Sequence, residues 1–217
     1  MVLGLFGAGG AGRGLYDALS RDRRIGEAYR QIFFVDDVVG VKEIDGVQVY
    51  TFAEAVQHYS EEELKFLICL GTPSAREKVC KKIRERNYGL ATWVHPRAEV
   101  AAGVQIGEGS IIFDCYLDVG VMVGENNLIY KNAVIGHDSV LMDHCVVSVG
   151  SFIGGHCVLE KKVYFGPCAA ARDQVHIGEC ATVGINAAVF KDVPEGSSAI
   201  GNPAKIMPKS QKGLFDK

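Results

Sequence analysis

The sequence predicts two domains: a small Rossmann-like α/β domain with a parallel sheet (residues 1–93), followed by a parallel β-helix of hexapeptide repeats (residues 94–217). Three observations lead to this prediction. Short apolar segments alternate with helical patterns in the first part of the chain. From Val94 onward an aliphatic residue recurs at every sixth position. The chain also holds 26 glycines in 217 residues, well above the usual share of about 7%.

The first domain is predicted from its alternating elements. The expected order is strand 2–6, helix 11–22, strand 31–37, strand 47–50, a helix capped by Thr51 and ending near 58, strand 65–70 and helix 74–87. Short apolar strands that alternate with helices are typical of a parallel sheet covered by helices.

The second domain is predicted from the six-residue repeat. The repeat runs from Val94 to Val189 over seventeen positions, fifteen of them Val, Ile or Leu, with a single five-residue step between Ile112 and Leu117. A period of six fits neither a helix nor an alternating strand, but it fits a solenoid with three flat faces per coil. We expect the aliphatic residues to fill the bore of five to six coils. Glycines directly follow many of them, and we expect these to serve tight turns.

Composition excludes several classes of function. A net charge of -3 offers no field for nucleic acid or an anionic membrane, and no apolar stretch approaches the ~20 residues of a membrane helix. The N-terminus lacks the basic leader and cleavage site of a signal peptide. The seven cysteines are odd in number and form no CxxC or zinc pattern, which favours reduced thiols. These features predict a soluble cytoplasmic protein.

A histidine in the repeat is the main candidate for catalysis. His137 lies in "VIGHDS" and Asp138 follows it directly. A carboxylate partner fixes the tautomer of an imidazole and makes it more basic, which suits a general base; the alternative is a turn histidine exposed by chance. His156 is expected to stack near His137 one coil later. The four histidines at 137, 144, 156 and 176 lack the short pairs of a metal site, so we expect no metal.

The first domain opens with a glycine motif that suits a phosphate group. "GAGGAG" (7–12) matches GxGxxG directly after a strand and before a helix, where backbone amides can approach a diphosphate. Asp36 and Asp37 end the next strand and can accept hydrogen bonds from ribose or base; alternatively, they are plain turn residues. Fewer than ninety residues leave no room for a full dinucleotide fold. A mononucleotide or nucleotide sugar fits better than NAD.

The order of the motifs resembles that of the NeuD/PglD-type sugar acetyltransferases over essentially the whole chain. The matching phrases are "GAGG", "FVDD", "LGTPSAREKV", "VHPRAEV", "IGHD", "VFKDVP" and "GNPAK". The resemblance implies a left-handed β-helix, a homotrimer with active sites between subunits, and acetyl-CoA as co-substrate. It also implies a nucleotide-linked amino sugar of the 4-amino-4,6-dideoxy type as acceptor, bacterial-type cytoplasmic location and a role in glycan or polysaccharide biosynthesis.

The resemblance also assigns residues. It implies His137 as general base and Asp138 as its carboxylate partner. The chemistry of acetyl transfer then leads us to expect that a backbone amide near Gly155 stabilises the oxyanion. The positions implied to bind the nucleotide sugar are Gly9, Gly10, Ala11, Asp36, Asp37 and Gly71. The positions implied to line acetyl-CoA are Val146, Gly155, Pro167 and Ile185.

Two departures from the family pattern put the exact acceptor in doubt. Family members often carry histidine where this chain has Ala11, and commonly asparagine where it has Tyr130.

The function expected from the resemblance is an acetyl-CoA-dependent sugar N-acetyltransferase. One alternative is an O-acetyltransferase acting on sialic acid or another sugar hydroxyl. Another, of a different class, is a non-catalytic nucleotide-sugar-binding scaffold.

Overall fold

The computed structural model describes residues 1–208, and the chain divides into two compact units. The first unit comprises Met1–Gly71 and Ala75–Trp93, and the second comprises Thr72–Ser74 and the chain from Val94 onward. The end of the predicted second domain, residues 209–217, lies outside the described residues. No helix within residues 1–208 is both long and apolar enough to cross a membrane.

The first unit is an α/β unit built on one six-stranded sheet. Its elements are β1 (Val2–Phe6), α1 (Gly10–Ser20), α2 (Arg23–Ala28), β2 (Gln31–Val35), β3 (Glu43–Ile44), β4 (Val47–Tyr50), α3 (Phe52–His58), β5 (Leu64–Ile68), α4 (Pro73–Arg84) and β6 (Gly89–Leu90). The strand order is β3-β4-β2-β1-β5-β6, and every pair is parallel except β3–β4. The predicted parallel sheet is confirmed.

The central strand explains why the apolar segments form this sheet. All five residues of β1 are buried, and β2 and β5 pair with its two edges. The next strand in sequence, β2, pairs with one edge of β1, whereas β5 pairs with the opposite edge. The carboxyl end of β1 therefore lies where the strand order reverses, the place at which open α/β sheets bind ligands.

One helix of this unit was not predicted. The helix predicted over 11–22 is observed as α1 (Gly10–Ser20), but the short helix α2 (Arg23–Ala28) follows it and buries none of its six residues. A helix without a buried face carries no apolar period, so the pattern does not reveal it. The start of α3 agrees with the prediction, because Thr51 and Glu54 form a reciprocal capping box.

The second unit is a parallel β-helix. Between Trp93 and Val189 it contains seventeen two-residue strands, each ending on one of the predicted repeat positions. The first face is formed by Trp93–Val94, Ile111–Ile112, Leu128–Ile129, Val146–Val147, Tyr164–Phe165, Thr182–Val183, Ser198–Ile200 and Lys205–Met207. The second face is formed by Glu99–Val100, Tyr116–Leu117, Val134–Ile135, Phe152–Ile153, Ala170–Ala171 and Ala188–Val189. The third face is formed by Gln105–Ile106, Met122–Val123, Val140–Leu141, Val158–Leu159 and His176–Ile177.

The bore of this helix is filled as the repeat predicts. The aliphatic residues of the repeat face inward except at Val100, which is exposed near the start of the helix, and Ile135 and Ile153 are completely buried. The residue four positions later is also buried, as shown by Ala133, Cys145 and Ala181. Successive coils thus stack their inward-facing side chains into one continuous apolar core.

The glycines that directly follow the aliphatic residues do not have the predicted turn role. The left-handed backbone occurs two residues further on, for example at Asp138 (φ 56°) and His156 (φ 55°). Gly136 instead lies against the next coil, where a Cβ would come within 2.7 Å of the backbone of Gly154. Except at Gly184, where the nearest atom would be 3.4 Å from a Cβ, these glycines permit close stacking of coils.

Candidate active site

The corner between the second and third faces holds the candidate base. Nδ1 of His137 lies 2.9 Å from Oδ2 of Asp138. This hydrogen bond is the main cause that raises the pKa of His137 above its ordinary value; desolvation opposes it, and the charges of Asp118, Asp138 and Asp173 add to it. Both partners are about half exposed. The geometry gives an imidazole oriented through Nδ1, with Nε2 left to act on a substrate.

Two glycines make room for this pair. A Cβ at Gly120 would clash with the Asp138 carboxylate, and a Cβ at Gly155 would lie 2.6 Å from Nε2 of His137. Asp138 therefore leans over the preceding coil, whereas the His137 ring lies over the following one. The pair thus occupies space that exists only because Gly120 and Gly155, in the two neighbouring coils, have no side chains.

His156 completes a cluster at this corner. Its ring packs edge to face on His137 with ring centroids 4.8 Å apart, which confirms the expected stacking one coil later. Its Nε2 lies 3.8 Å from Asp138 Oδ2. Among residues 1–208, these three side chains are the group whose metal-type donor atoms lie within 4.8 Å of one another. The expectation of no metal remains a prediction.

The backbone amide of Gly155 is hydrogen-bonded within the protein. Its N–H donates to Oδ1 of Asp173 at 2.9 Å. Glu125 makes the same contact with Asp143, also 18 residues later, so a carboxylate–amide contact recurs in the helix. An oxyanion would have to replace Asp173 at this amide.

The other residues implied to line acetyl-CoA lie elsewhere in the same chain. Val146 is on the first face and its side chain is buried. Pro167 and Ile185 lie at the corner between the first and second faces, where Ile185 is 72% exposed. Within one chain, the structure therefore brings Gly155 to His137 but leaves these three residues away from that corner.

The first unit contains a cleft of about 720 Å³ at the carboxyl ends of its central strands. Its lining residues are Phe6, Gly7, Asp36, Asp37, Val38, Leu70, Ala75, Lys78, Val79, Lys81, Lys82 and Glu85. The cleft occupies the reversal point of the sheet described above. It is therefore the candidate ligand site of this unit.

The glycine motif beside the cleft divides its tasks among three positions. Gly7 has a left-handed φ of 110°, and a Cβ at Gly12 would clash with the Gly7 carbonyl. Gly9 caps α1 without a side-chain hydrogen bond, and a Cβ added at Gly9, Gly10 or Gly71 would meet no atom within 4 Å. Gly7 and Gly12 thus shape the turn, whereas Gly9 leaves open space before the helix N-terminus. Ala11 is exposed on the first turn of the same helix.

The two aspartates that end β2 are bound to the protein itself. Asp36 accepts hydrogen bonds from the backbone amides of Ala8, Val38 and Val39. Burial alone would raise the pKa of Asp36, but these three donors hold it below its ordinary value. Asp37 accepts from the amide of Phe52 at 2.8 Å and pairs with Lys82 at 2.6 Å. Both carboxylates therefore organise the cleft, whatever they bind in addition.

Sequence reasoning did not select the lysines of this cleft. Lys78, Lys81 and Lys82 lie at i, i+3 and i+4 on α4, so one face of the helix carries three cations to the cleft. Their spacing in the sequence could have indicated a positively charged helix face. Arg76 on the same helix is buried and donates to the Leu70 carbonyl at 3.2 Å, which anchors the loop that contains Gly71.

Comparison with known proteins places the chain among its relatives. Residues 3–83 match the family model described as the PglD N-terminal domain. A variant of perosamine N-acetyltransferase from Caulobacter crescentus, solved with CoA and GDP-perosamine, is 26% identical (TM-score 0.86; 96% of this chain and 98% of that chain covered). The acetyltransferase domain of PglB from Neisseria gonorrhoeae FA1090 is 24% identical (TM-score 0.85; 95% and 99% covered). WeeI from Acinetobacter baumannii AYE is 23% identical (TM-score 0.86; 95% and 100% covered). Curated protein sequences give no significant match.

An α/β unit followed by a hexapeptide-repeat β-helix, with a histidine–carboxylate pair at one corner, defines an acyltransferase of the left-handed β-helix class. The predicted fold class is thereby confirmed. Residues 3–83 match the PglD N-terminal domain, and the chain is similar in structure to a sugar N-acetyltransferase over 96% of its length, in agreement with the motifs.

Proposed function

We propose that this enzyme transfers the acetyl group of acetyl-CoA to the amino group of a nucleotide-linked 4-amino-4,6-dideoxy sugar, with His137 as general base. The observation that carries the proposal is the exposed Nε2 of an imidazole whose Nδ1 is bonded to Asp138. The similarity to an enzyme solved with CoA and GDP-perosamine, over 96% of this chain, supports the class of both substrates.

The chemistry needs one base and no covalent intermediate. The acceptor nitrogen attacks the thioester carbonyl carbon, a C–N bond forms, and the C–S bond then breaks. Nε2 of His137 takes the proton from the nitrogen, and the CoA thiolate is protonated as it leaves. Asp138 stabilises the resulting imidazolium through Nδ1. In residues 1–208 no cysteine adjoins this pair, which favours direct transfer.

The cleft of the first unit is proposed to hold the nucleotide. The open N-terminus of α1 at Gly9, Gly10 and Ala11 offers backbone amides and a partial positive charge to a diphosphate. The three lysines of α4 add positive charge, and Gly71 leaves space beside them. Asp36 and Asp37 are proposed to hold the shape of this cleft and to face the nucleoside.

The active enzyme is proposed to be a homotrimer. Pro167 and Ile185 lie at a different corner from His137, and Ile185 is a large apolar side chain that is mostly exposed. If acetyl-CoA contacts these residues as well as Gly155, the co-substrate is bound by two copies of the chain. Closed symmetry with three copies satisfies that requirement, because each copy then supplies both corners.

The test is a thiol-release assay with acetyl-CoA and a panel of nucleotide-linked 4-amino sugars and sialic acids. We expect turnover with a 4-amino sugar and a decrease in kcat of at least about 10²-fold for His137→Ala. His176→Ala is the matched control, since His176 pairs with Glu160 on the third face. Turnover with hydroxyl acceptors alone would make the enzyme an O-acetyltransferase. Failure to bind acetyl-CoA in calorimetry would instead support a scaffold.

A further inference from the structure

His156 is a third titratable side chain at the corner of the base, and the proposed reaction gives it no task. Its Nε2 lies 3.8 Å from Asp138 Oδ2, the same oxygen that lies 2.9 Å from Nδ1 of His137. The two imidazole rings also pack edge to face at 4.8 Å. One carboxylate oxygen is therefore shared by two imidazoles that come from successive coils.

The backbone fixes the position from which His156 makes these contacts. Its N–H donates to the His137 carbonyl at 2.8 Å, so the two residues are joined by the ladder between coils. Its φ of 55° lies in the left-handed region, as it does at equivalent corner residues such as Asp138 and Gln174. The regular corner of the helix thus fixes the backbone from which the His156 ring extends.

We infer that His156 is a positioning residue that holds the Asp138–His137 pair from the next coil, and that only its neutral form permits catalysis. The inference rests on the function proposed above. A neutral His156 supports the His137 ring by packing and leaves Asp138 Oδ2 bonded to Nδ1. A protonated His156 attracts the same oxygen and repels a positive charge on His137.

The charged groups at this corner act on His137, and one of them also contacts His156. The carboxylates of Asp118, Asp138 and Asp173 act on the His137 imidazole, and Asp173 is bonded to the Gly155 amide. Asp138 is thus the carboxylate that both imidazoles reach. Since the two rings contact each other, a proton on His156 would act directly on the His137 imidazole.

The consequence is a distinctive acid limb in the pH profile. If activity requires both histidines to be neutral, log(kcat/KM), calculated on the concentration of unprotonated acceptor amine, falls toward low pH with a limiting slope of about two. If His156 has only a structural role, the slope is about one, because the base alone must lose its proton. The slope therefore separates positioning through the shared carboxylate from simple packing.

Two substitutions test the inference. In His156→Asn the side chain no longer reaches Asp138, so we expect kcat to fall about tenfold through misplacement of the base, with a slope of about one. In His156→Gln a neutral donor of similar reach is kept, so we expect kcat within about threefold of wild type, again with a slope of about one. For a positioning residue we expect His156→Gln to restore kcat while the slope of the pH profile stays near one.

His144→Asn is the matched control. His144 has the same left-handed backbone (φ 63°) at the corner between the third and first faces, and its Nδ1 lies 3.0 Å from Nδ2 of Asn126. We expect this variant to keep wild-type kcat and the slope of about two. An equal effect of both Asn substitutions would overturn the inference, and so would a wild-type slope of about one.

An NMR titration of the imidazole signals in the ligand-free protein gives a readout independent of acetyl transfer. We expect the His137 signal to titrate in two phases in the wild type and in one phase in His156→Asn. A single phase in both proteins would overturn the inference even if the enzyme is active. Absence of acetyl transfer in the wild type, with coupled titrations intact, would refute the proposed function and leave the coupling standing.

Discussion

Replacement of Gly155 by alanine should displace the base and leave the fold intact. A Cβ at this position would lie 2.6 Å from Nε2 and 2.8 Å from Cε1 of His137, whereas ordinary contacts begin near 3.4 Å. The ring must therefore move by about 0.8 Å. A displacement of this size at a reacting atom costs roughly 10²-fold in rate, so we expect kcat to fall by about that factor. Gly155 has no left-handed φ, and its nearest neighbour is a side chain that can rotate.

The assay combines steady-state thiol release with thermal unfolding. We expect Gly155→Ala to melt within a few degrees of wild type, since the clash can be relieved by rotation of His137. Gly184→Ala is the matched stability control, because its Cβ would come no closer than 3.4 Å to another atom. An unchanged kcat with a higher KM for acetyl-CoA would refute the reasoning. Gly155 would then serve the co-substrate and not the base.

Two further predictions concern the glycine motif and assembly. Gly9→Ala should fold normally but bind a nucleoside diphosphate at least about tenfold more weakly in calorimetry, because the new methyl group fills the space before α1. Gly14→Ala is the control, since a Cβ there also meets no atom within 4 Å, and it should bind normally; equal weakening of both variants would contradict this assignment. Light scattering should give the mass of three chains, and mixing His137→Ala with an Ile185→Asp variant should restore some activity if each site combines two copies; a monomeric mass would contradict the trimer.

The repeat determines the β-helix almost completely, because its signal is local and recurs seventeen times. Each six-residue unit states which residue faces the bore, and the structure follows this assignment from Val94 to Val189 except at Val100. The His137–Asp138 contact was equally accessible, since the two residues are adjacent in sequence. Neither prediction required knowledge of long-range packing.

The contacts that were not predicted join residues far apart in sequence and carry no period. The Asp173 carboxylate reaches the Gly155 amide from the next coil, and Asp36 reaches Ala8 from the neighbouring strand. A carboxylate looks the same in sequence whether it accepts from backbone amides or faces a ligand. The short helix α2 lacks a buried face, and the burial of Val146 depends on its surroundings in the folded chain.

The stacking of coils places residues that are 18 positions apart in sequence above one another at the corner of His137. Gly120, Asp138, His156 and Gln174 form one column, each 18 residues from the next, and their backbones share the left-handed conformation. A residue in this column can be exchanged without altering the bore, because the core is specified by other positions of the hexad. The residues that fill the bore and those that form the corner of His137 therefore occupy different positions of the same repeat, so that the corner can change while the coil stays unchanged.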